Sequence, residues 1–557
     1  MATTDPGTSE NPTEERRPAG DEPPPPPGTG GTTAADGRSP GRTWVFRALG
    51  VGLGALTWIL LGAAQTLEPD ARVVAAIGVL MAAWWVTEAV PLSATALLPI
   101  VLFPALGVVG VSDITADYGD PIVFLFLGGF LIAIAMQKWH LHRRIALLTL
   151  RTVGTSPTRI VLGMMIATGF LSMWVSNTAT TLMMLPIALS VLALVAERAG
   201  SSGDSVRRGA PISETVRDPG VRTFGVGLVL SAAWASSIGG LGTLLGSPPN
   251  AIVAGYVADE LDREISFLGW MQLGVPIVVV FIGVAWLLIT RFLFRTDLTE
   301  IPGGREMIDD QLRGMGPAST AEKRVLGVFA GAAILWIVPG ILTEFAAIDA
   351  ALPWLGEMND TAIAIAAGLA LFLLPADTEP PDEPREDTGA VRPYRMLLVW
   401  EDTQRGLPWG VLLLFGGGLA LAGAVASSGL DEFIGASVAG LGVLPILLLV
   451  GAVVLIVLFL TEVTSNTATA ATFIPVLGGV AIGIGADSMT LLIPAALAAT
   501  CAFMLPVGTP PNAIVFGSGV VTIGQMARGG LTLNVVGVVL ITLFAYLLGG
   551  WALGLQF

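Results

Sequence analysis

Three short blocks occur twice along this chain, in the same order. FLGGFL at Phe126–Leu131 is matched by LFGGGL at Leu414–Leu419, and WVSNTATTLMMLP at Trp174–Pro186 by VTSNTATAATFIP at Val463–Pro475. GSPPNAIVAG at Gly246–Gly255 is matched by GTPPNAIVFG at Gly508–Gly517, with eight of ten positions identical. A duplication of this kind requires a fold in which one arrangement of elements is used twice. The gap between the second and third blocks is longer in the first half, because of a polar insert from Glu197 to Arg222.

The surroundings of these blocks set the solvent. Of 557 residues, 53% are hydrophobic and 13% charged; the charged share is about half the soluble norm. Mean hydropathy is +0.75. Apolar runs of about 20 residues recur, long enough to cross a ~30 Å hydrocarbon core, and they lack the strict alternation of a transmembrane barrel. The chain therefore reads as an all-α polytopic membrane protein. The net charge of −15 resides in the tail and loops and does not point to nucleic acid. The single Cys501 excludes an intrachain disulfide. Residues 1–45 are acidic and rich in proline, including the run Pro23–Pro27, and are expected to form a disordered cytoplasmic tail.

Eleven spans are expected, near 46–65, 72–91, 93–111, 121–139, 224–253, 269–293, 322–345, 360–375, 408–428, 491–519 and 530–554. Two further apolar stretches, 158–195 and 443–483, carry Ser176-Asn177-Thr178 and Ser465-Asn466-Thr467 at their centres. Each half of these stretches is short for a crossing. Each stretch reads as a re-entrant helical hairpin, since non-helical backbone at membrane depth must be surrounded by protein or line a wet cavity. Arginine placement agrees: with both hairpins re-entrant, nearly all basic residues fall on one side, with Arg72 and Arg263 as exceptions. That puts the N-terminus in the cytoplasm and the C-terminus outside. The chain divides into a tail (1–45), a first helix (46–71), a first repeat (72–297), a cytoplasmic linker (298–321) and a second repeat (322–557). An odd number of spans per repeat inverts the second relative to the first, an arrangement typical of secondary transporters.

The repeated polar residues suit ion and anion binding. At a hairpin tip, carbonyls of one helix end lie beside amides of the next helix start. The amides favour carboxylate, and the carbonyl, hydroxyl and amide oxygens favour a hard cation. Paired prolines cannot continue a helix, so the spans holding Pro248-Pro249 and Pro510-Pro511 must unwind before them, freeing carbonyls near Gly246 and Gly508. Asn250 and Asn512 then fall near helix starts, where Asn caps well. Ser172 and Thr461 lie one turn before the motif serines and can complete a cation shell. Glu462, whose counterpart is Met173, is not part of the symmetric set; it is either functional, at a wet end, or part of a structural pair.

With its doubled SNT and doubled PPN motifs and WWVTEAVPLSATALLP at Trp84–Pro99, the chain resembles the divalent-anion:sodium symporter family from about residue 46 onward. The resemblance implies scaffold and transport domains, a homodimer in the plasma membrane, and sodium-coupled import of C4-dicarboxylates by an elevator movement. It places one sodium with Ser172, Ser176, Asn177 and the Gly246 carbonyl, and another with Thr461, Ser465, Asn466 and the carbonyls of Gly508 and Pro510. The substrate would meet Asn177, Thr178, Asn466 and Thr467. Sodium-independent exchange and symport of citrate or sulfate occur in the same family. An enzyme is the reading from another class, but HExxH and GxSxG are missing and no histidine lies in the apolar core. A channel needs a continuous lining, whereas these are two opposed half-sites. No organic cofactor is expected.

Overall fold

The computed structural model describes residues 40–64, 67–201, 203, 206, 211–298, 301, 303–343, 345–377, 395–438, 440 and 444–557. Among these the architecture is helical, with one isolated antiparallel bridge between Pro375 and Met396. Most of the expected tail lies outside the described residues. The first helix runs Pro40–Ala64, so residues 40–45 belong to that helix and not to the tail. A proline in the first turn loses no hydrogen bond there and favours such a start.

Ten helices among the described residues are long and apolar enough to cross a membrane, and two of them, Asn177–Arg198 and Asn466–Ile484, are second arms of the hairpins. Of the eleven expected spans, four are not single long helices. The 224–253 stretch breaks between Pro219–Gly239 and Pro248–Leu261. The 93–111 stretch forms two short pieces, Leu92–Thr95 and Leu98–Ala105. Asp360–Leu373 has 14 residues, or ~21 Å of helix. The 491–519 stretch breaks into Ser488–Thr500 and Pro510–Gly517.

Helix Pro219–Gly239 is the most enclosed of the span-length helices, with 17 buried residues. Polar residues on it, Ser231, Ser236 and Ser237, are each 0% exposed. It packs against both arms of the first hairpin, Pro157–Ser172 and Asn177–Arg198. Small residues permit that approach: a Cβ at Gly239 would strike the Gly169 backbone. Helices at the periphery turn apolar side chains outward instead, such as Val279, Ile456, Leu547 and Trp551, as lipid contact requires.

Charged contacts collect at the ends of the bundle. Arg144 pairs with Glu322 at 3.0 Å, Arg151 with Asp309 at 2.9 Å, and Lys138 with Asp402 at 2.7 Å. Asp309 lies on helix Gly304–Gly314, within the expected linker. Arg263, an exception to the arginine pattern, pairs with Asp487 at 3.0 Å. At the same end of helix Pro248–Leu261, Asp259 shares a hydrogen bond with Asp120. Burial first, and then the charges of Asp120 and Asp117, push the Asp259 carboxyl up to about 7.

Candidate functional site

Both SNT motifs sit where one helix stops and another starts. Helix Pro157–Ser172 ends, Met173–Val175 turn, and Ser176 caps helix Asn177–Arg198, its Oγ accepting from the Ala179 amide at 3.3 Å. Helix Ile446–Thr461 ends, Glu462–Thr464 turn, and Asn466 opens the next helix. The first amides of each new helix have no partner within it. Residues 176–178 and 465–467 are half-buried, while Ser172 and Thr461 behind them are 0% exposed.

The PPN segments unwind as the prolines demand. Residues 240–247 and 501–509 depart from the α-helix before Pro248 and Pro510. Asn250 and Asn512 do not cap. Ser247 and Thr509 occupy the cap positions, and each asparagine lies inside its helix, 0% exposed. The Asn250 amide reaches back and donates to the carbonyls of Gly240 (2.8 Å) and Thr243 (2.8 Å). Asn512 donates to Ala502 (3.1 Å) and Leu505 (3.1 Å), the same two offsets along the chain. A donor is what a loop of freed carbonyls needs, whereas a cap supplies an acceptor. The amide oxygens of both asparagines remain buried without a partner.

The asparagines of the tips show a second correspondence. Ser172 Oγ lies 2.6 Å from the Asn177 amide, and Thr461 Oγ1 donates to Asn466 Oδ1 at 2.8 Å. Around Asn177 the Ser172 hydroxyl, the Ser236 carbonyl and the Gly246 carbonyl converge at 2.6, 2.9 and 3.2 Å on one amide atom. Such a cluster is satisfied in two ways: the amide nitrogen turns inward and donates, or its oxygen turns inward and a hard cation is held among the oxygens. The donor set therefore fits a cation. Ser172, Asn177 and Gly246 were anticipated from sequence; Ser236, one of three buried serines in a span, was not. Around Asn466 the structure brings in Thr461 and the Thr500 carbonyl, 3.4 Å from its Nδ2. Gly508 stands against Glu462, where an added Cβ would meet the Glu462 carbonyl at 2.9 Å.

One chain of contacts joins the tips. Asn466 Nδ2 donates to the Thr500 carbonyl, and Thr500 Oγ1 donates to Ser247 Oγ at 3.0 Å. Ser247 follows Gly246, whose carbonyl faces Asn177. Two motifs 289 positions apart in sequence thus meet through a few bonds. Thr500 carried no sequence signal, since isolated hydroxyls in apolar helices are common; Ser247 lies within the repeated GSPPN block, but the motif alone gave it no role. The segments that form the tips and the unwound stretches carry no basic side chain: residues 160–197, 223–262 and 441–527 contain no Lys, Arg or His. An anion held between these tips would meet helix amides and amide or hydroxyl groups, with no fixed cationic side chain from these segments.

Residues 44–555 match the family described as "Sodium:sulfate symporter transmembrane region". Among curated proteins, the chain is 40% identical over 516 residues to the "Sodium-dependent dicarboxylate transporter SdcS" of Staphylococcus saprophyticus, covering 92% of this chain and 93% of that one. The protein of the same name from Staphylococcus aureus strain bovine RF122 is 40% identical over 495 residues, covering 88% of each. The solved YdaH transporter of Alcanivorax borkumensis aligns with 79% of this chain and 88% of that one, at 13% identity and a TM-score of 0.47.

Proposed function

The chain belongs to the sodium:sulfate symporter family, and on that premise we propose that it imports C4-dicarboxylates such as succinate, malate and fumarate together with sodium. The observation that carries this reading is the bonded path from Asn466 through Thr500 and Ser247 to Gly246 and Asn177. It supports one composite site with a cation-binding part and an anion-binding part in each half. The identity to the dicarboxylate transporters favours dicarboxylate over sulfate or citrate.

The electrostatics explain why sodium would be needed. A dicarboxylate carries two negative charges. Two helix N-termini, at Asn177 and Asn466, offer roughly +0.5 each. The segments around them offer no basic side chain. Part of the charge is left to bound cations, so the anion binds well only when sodium is present. One sodium would lie with Ser172, Ser176, Asn177 and the Gly246 carbonyl, where oxygens already converge. The other would lie with Thr461, Ser465, Asn466 and the carbonyls of Gly508 and Pro510. The carboxylates would meet Asn177, Thr178, Asn466 and Thr467. Alternating exposure would come from an elevator movement of the hairpins and broken helices against the other spans. The protein would act as a homodimer in the plasma membrane, N-terminus inside and C-terminus outside.

Purified protein in liposomes tests this. Labelled succinate should accumulate under an inward sodium gradient. Equal accumulation driven by internal dicarboxylate without sodium would identify an exchanger, and preferential uptake of sulfate or citrate would change the substrate. Uptake of none of these anions would end the reading.

A further inference from the structure

Glu462 separates the two tips. It is 3% exposed and lies at the turn of the second hairpin, directly after Thr461. Its Oε1 accepts from the amides of Phe503 (2.7 Å) and Met504 (3.0 Å) and from Asn534 Nδ2 (2.7 Å). Its Oε2 accepts from the amides of Met504 (3.1 Å) and Leu505 (3.1 Å). Every one of these contacts is a donor facing the carboxylate, the arrangement that charge-assisted hydrogen bonding favours. Successive amides turned to one side form an anion nest, and here the anion is a side chain of the protein.

The first half shows why this carboxylate is there. By the register of the PPN motifs, Phe503, Met504 and Leu505 correspond to Leu241, Gly242 and Thr243. The Leu241 and Gly242 amides turn back to the carbonyls of Ile238 (3.1 Å) and Gly239 (2.9 Å), extending the helix by tight turns. They need no outside acceptor. In the second half the chain closes the helix at Cys501, bonded to Ala498 at 2.9 Å, and then departs, leaving the next amides without a carbonyl of their own helix. Met173 holds the position equivalent to Glu462, and a Cβ at Gly242 would meet its Cε at 2.8 Å. An apolar side chain lies over the Leu241 and Gly242 amides, which have carbonyl partners, and a carboxylate over Phe503 and Met504, which have none.

We propose that Glu462 is a positioning residue for the second cation half-site, fastening the unwound segment 501–509 to the hairpin tip so that Gly508 faces Thr461, Ser465 and Asn466 at a fixed spacing. Asn534, from helix Ile523–Leu553, holds the carboxylate in place from the other side. This rests on the transport reading above. Asn534 is the lone asparagine of its span and 0% exposed, which makes it the natural partner for a carboxylate placed there.

The test compares wild type, Glu462→Gln and Glu462→Asp in liposomes, with uptake measured against sodium and against succinate. Glu462→Gln turns an amide donor toward amide donors, so the sodium concentration for half-maximal uptake should rise by about tenfold or more. The succinate KM at saturating sodium should change far less. Glu462→Asp, which keeps the charge one methylene shorter, should recover part of the sodium response. An unchanged sodium curve in Glu462→Gln overturns the proposal. A matched loss of sodium and succinate affinity, with no recovery in Glu462→Asp, overturns it as well, because that is the mark of general damage. If Glu462→Gln does not fold, a wild-type sodium curve in Glu462→Asp overturns it. A wild-type protein without sodium-driven uptake breaks the transport reading separately. The sodium-dependent rise of Tm in detergent then decides the positioning role: it must be present in wild type and weakened in both variants.

Discussion

The two SNT tips are built from the same residues and held by different means. The first is fixed by neutral contacts. Thr243 Oγ1 donates to the Met173 carbonyl, the Trp270 indole donates to the Leu241 carbonyl at 3.0 Å, and Met173 lies over Gly242. The second keeps the indole contact, from Trp234 to the Phe503 carbonyl at 3.0 Å, but replaces the rest with a buried carboxylate. The duplicated motif thus preserves the residues proposed to meet the ligands and leaves the support free to diverge. Support need only satisfy buried backbone groups, and a helix carbonyl or a side-chain carboxylate does that equally well.

The strongest test of this comparison removes what the tips share. Asn177→Ala and Asn466→Ala should each lower sodium-driven uptake by about 100-fold or more while the protein still folds, since each deletes a half-buried, multiply bonded amide at the proposed site. Wild-type uptake in both variants would break the equivalence of the tips and the site itself.

The next test removes what they do not share. Glu462→Met gives the second tip the residue of the first and strips three amides of their acceptor, that of buried Phe503 and those of half-buried Met504 and Leu505, at up to ~1–3 kcal/mol each. Tm should fall sharply. Met173→Leu, a change of similar volume, should cost under ~1.5 kcal/mol. Equal losses in thermal unfolding would mean that the asymmetry of support has no energetic content.

A smaller effect is expected at the bridge. Thr500→Val removes the hydroxyl that reaches Ser247, worth ~1 kcal/mol, and should lower the Hill coefficient for sodium more than maximal uptake. An unchanged Hill coefficient would show that the half-sites act without this contact.

The smallest effect concerns the acidic end of helix Pro248–Leu261. Asp259 corresponds in register to Val521, so this feature too is one-sided. Because its carboxyl is pushed up to about 7 from 3.8, the folded protein binds more protons than the unfolded chain between those values. Stability from this cluster therefore falls as pH rises through that window. Asp259→Asn should raise Tm at pH 8 and change it little at pH 5, where the native carboxyl is already protonated. A larger gain at pH 5 would reverse the sign argued here.

Much of this organisation was legible in the chain. The breaks before Pro248 and Pro510 follow from proline chemistry, and the hairpins follow from polar triplets inside apolar runs. Other features were not. The inward reach of Asn250 and Asn512 depends on where the freed carbonyls point, which PPN alone does not specify. The short helices Leu92–Thr95 and Leu98–Ala105 look like one span in sequence because their break is apolar. Glu462 stood out as a carboxylate in an apolar setting, yet its partners are three backbone amides and Asn534, from segments 41 to 72 positions away.

By itself the sequence determined the solvent, the duplication, the broken helices and the residue types offered at each tip, because these depend on hydrophobic run length, on identity between halves and on local backbone rules. The tertiary structure decided which oxygens meet, how the tips connect through Thr500 and Ser247, and which tip takes a charge for support. Backbone amides and carbonyls are the same at every position of a sequence, and only the path of the chain decides which of them are left for another segment to satisfy.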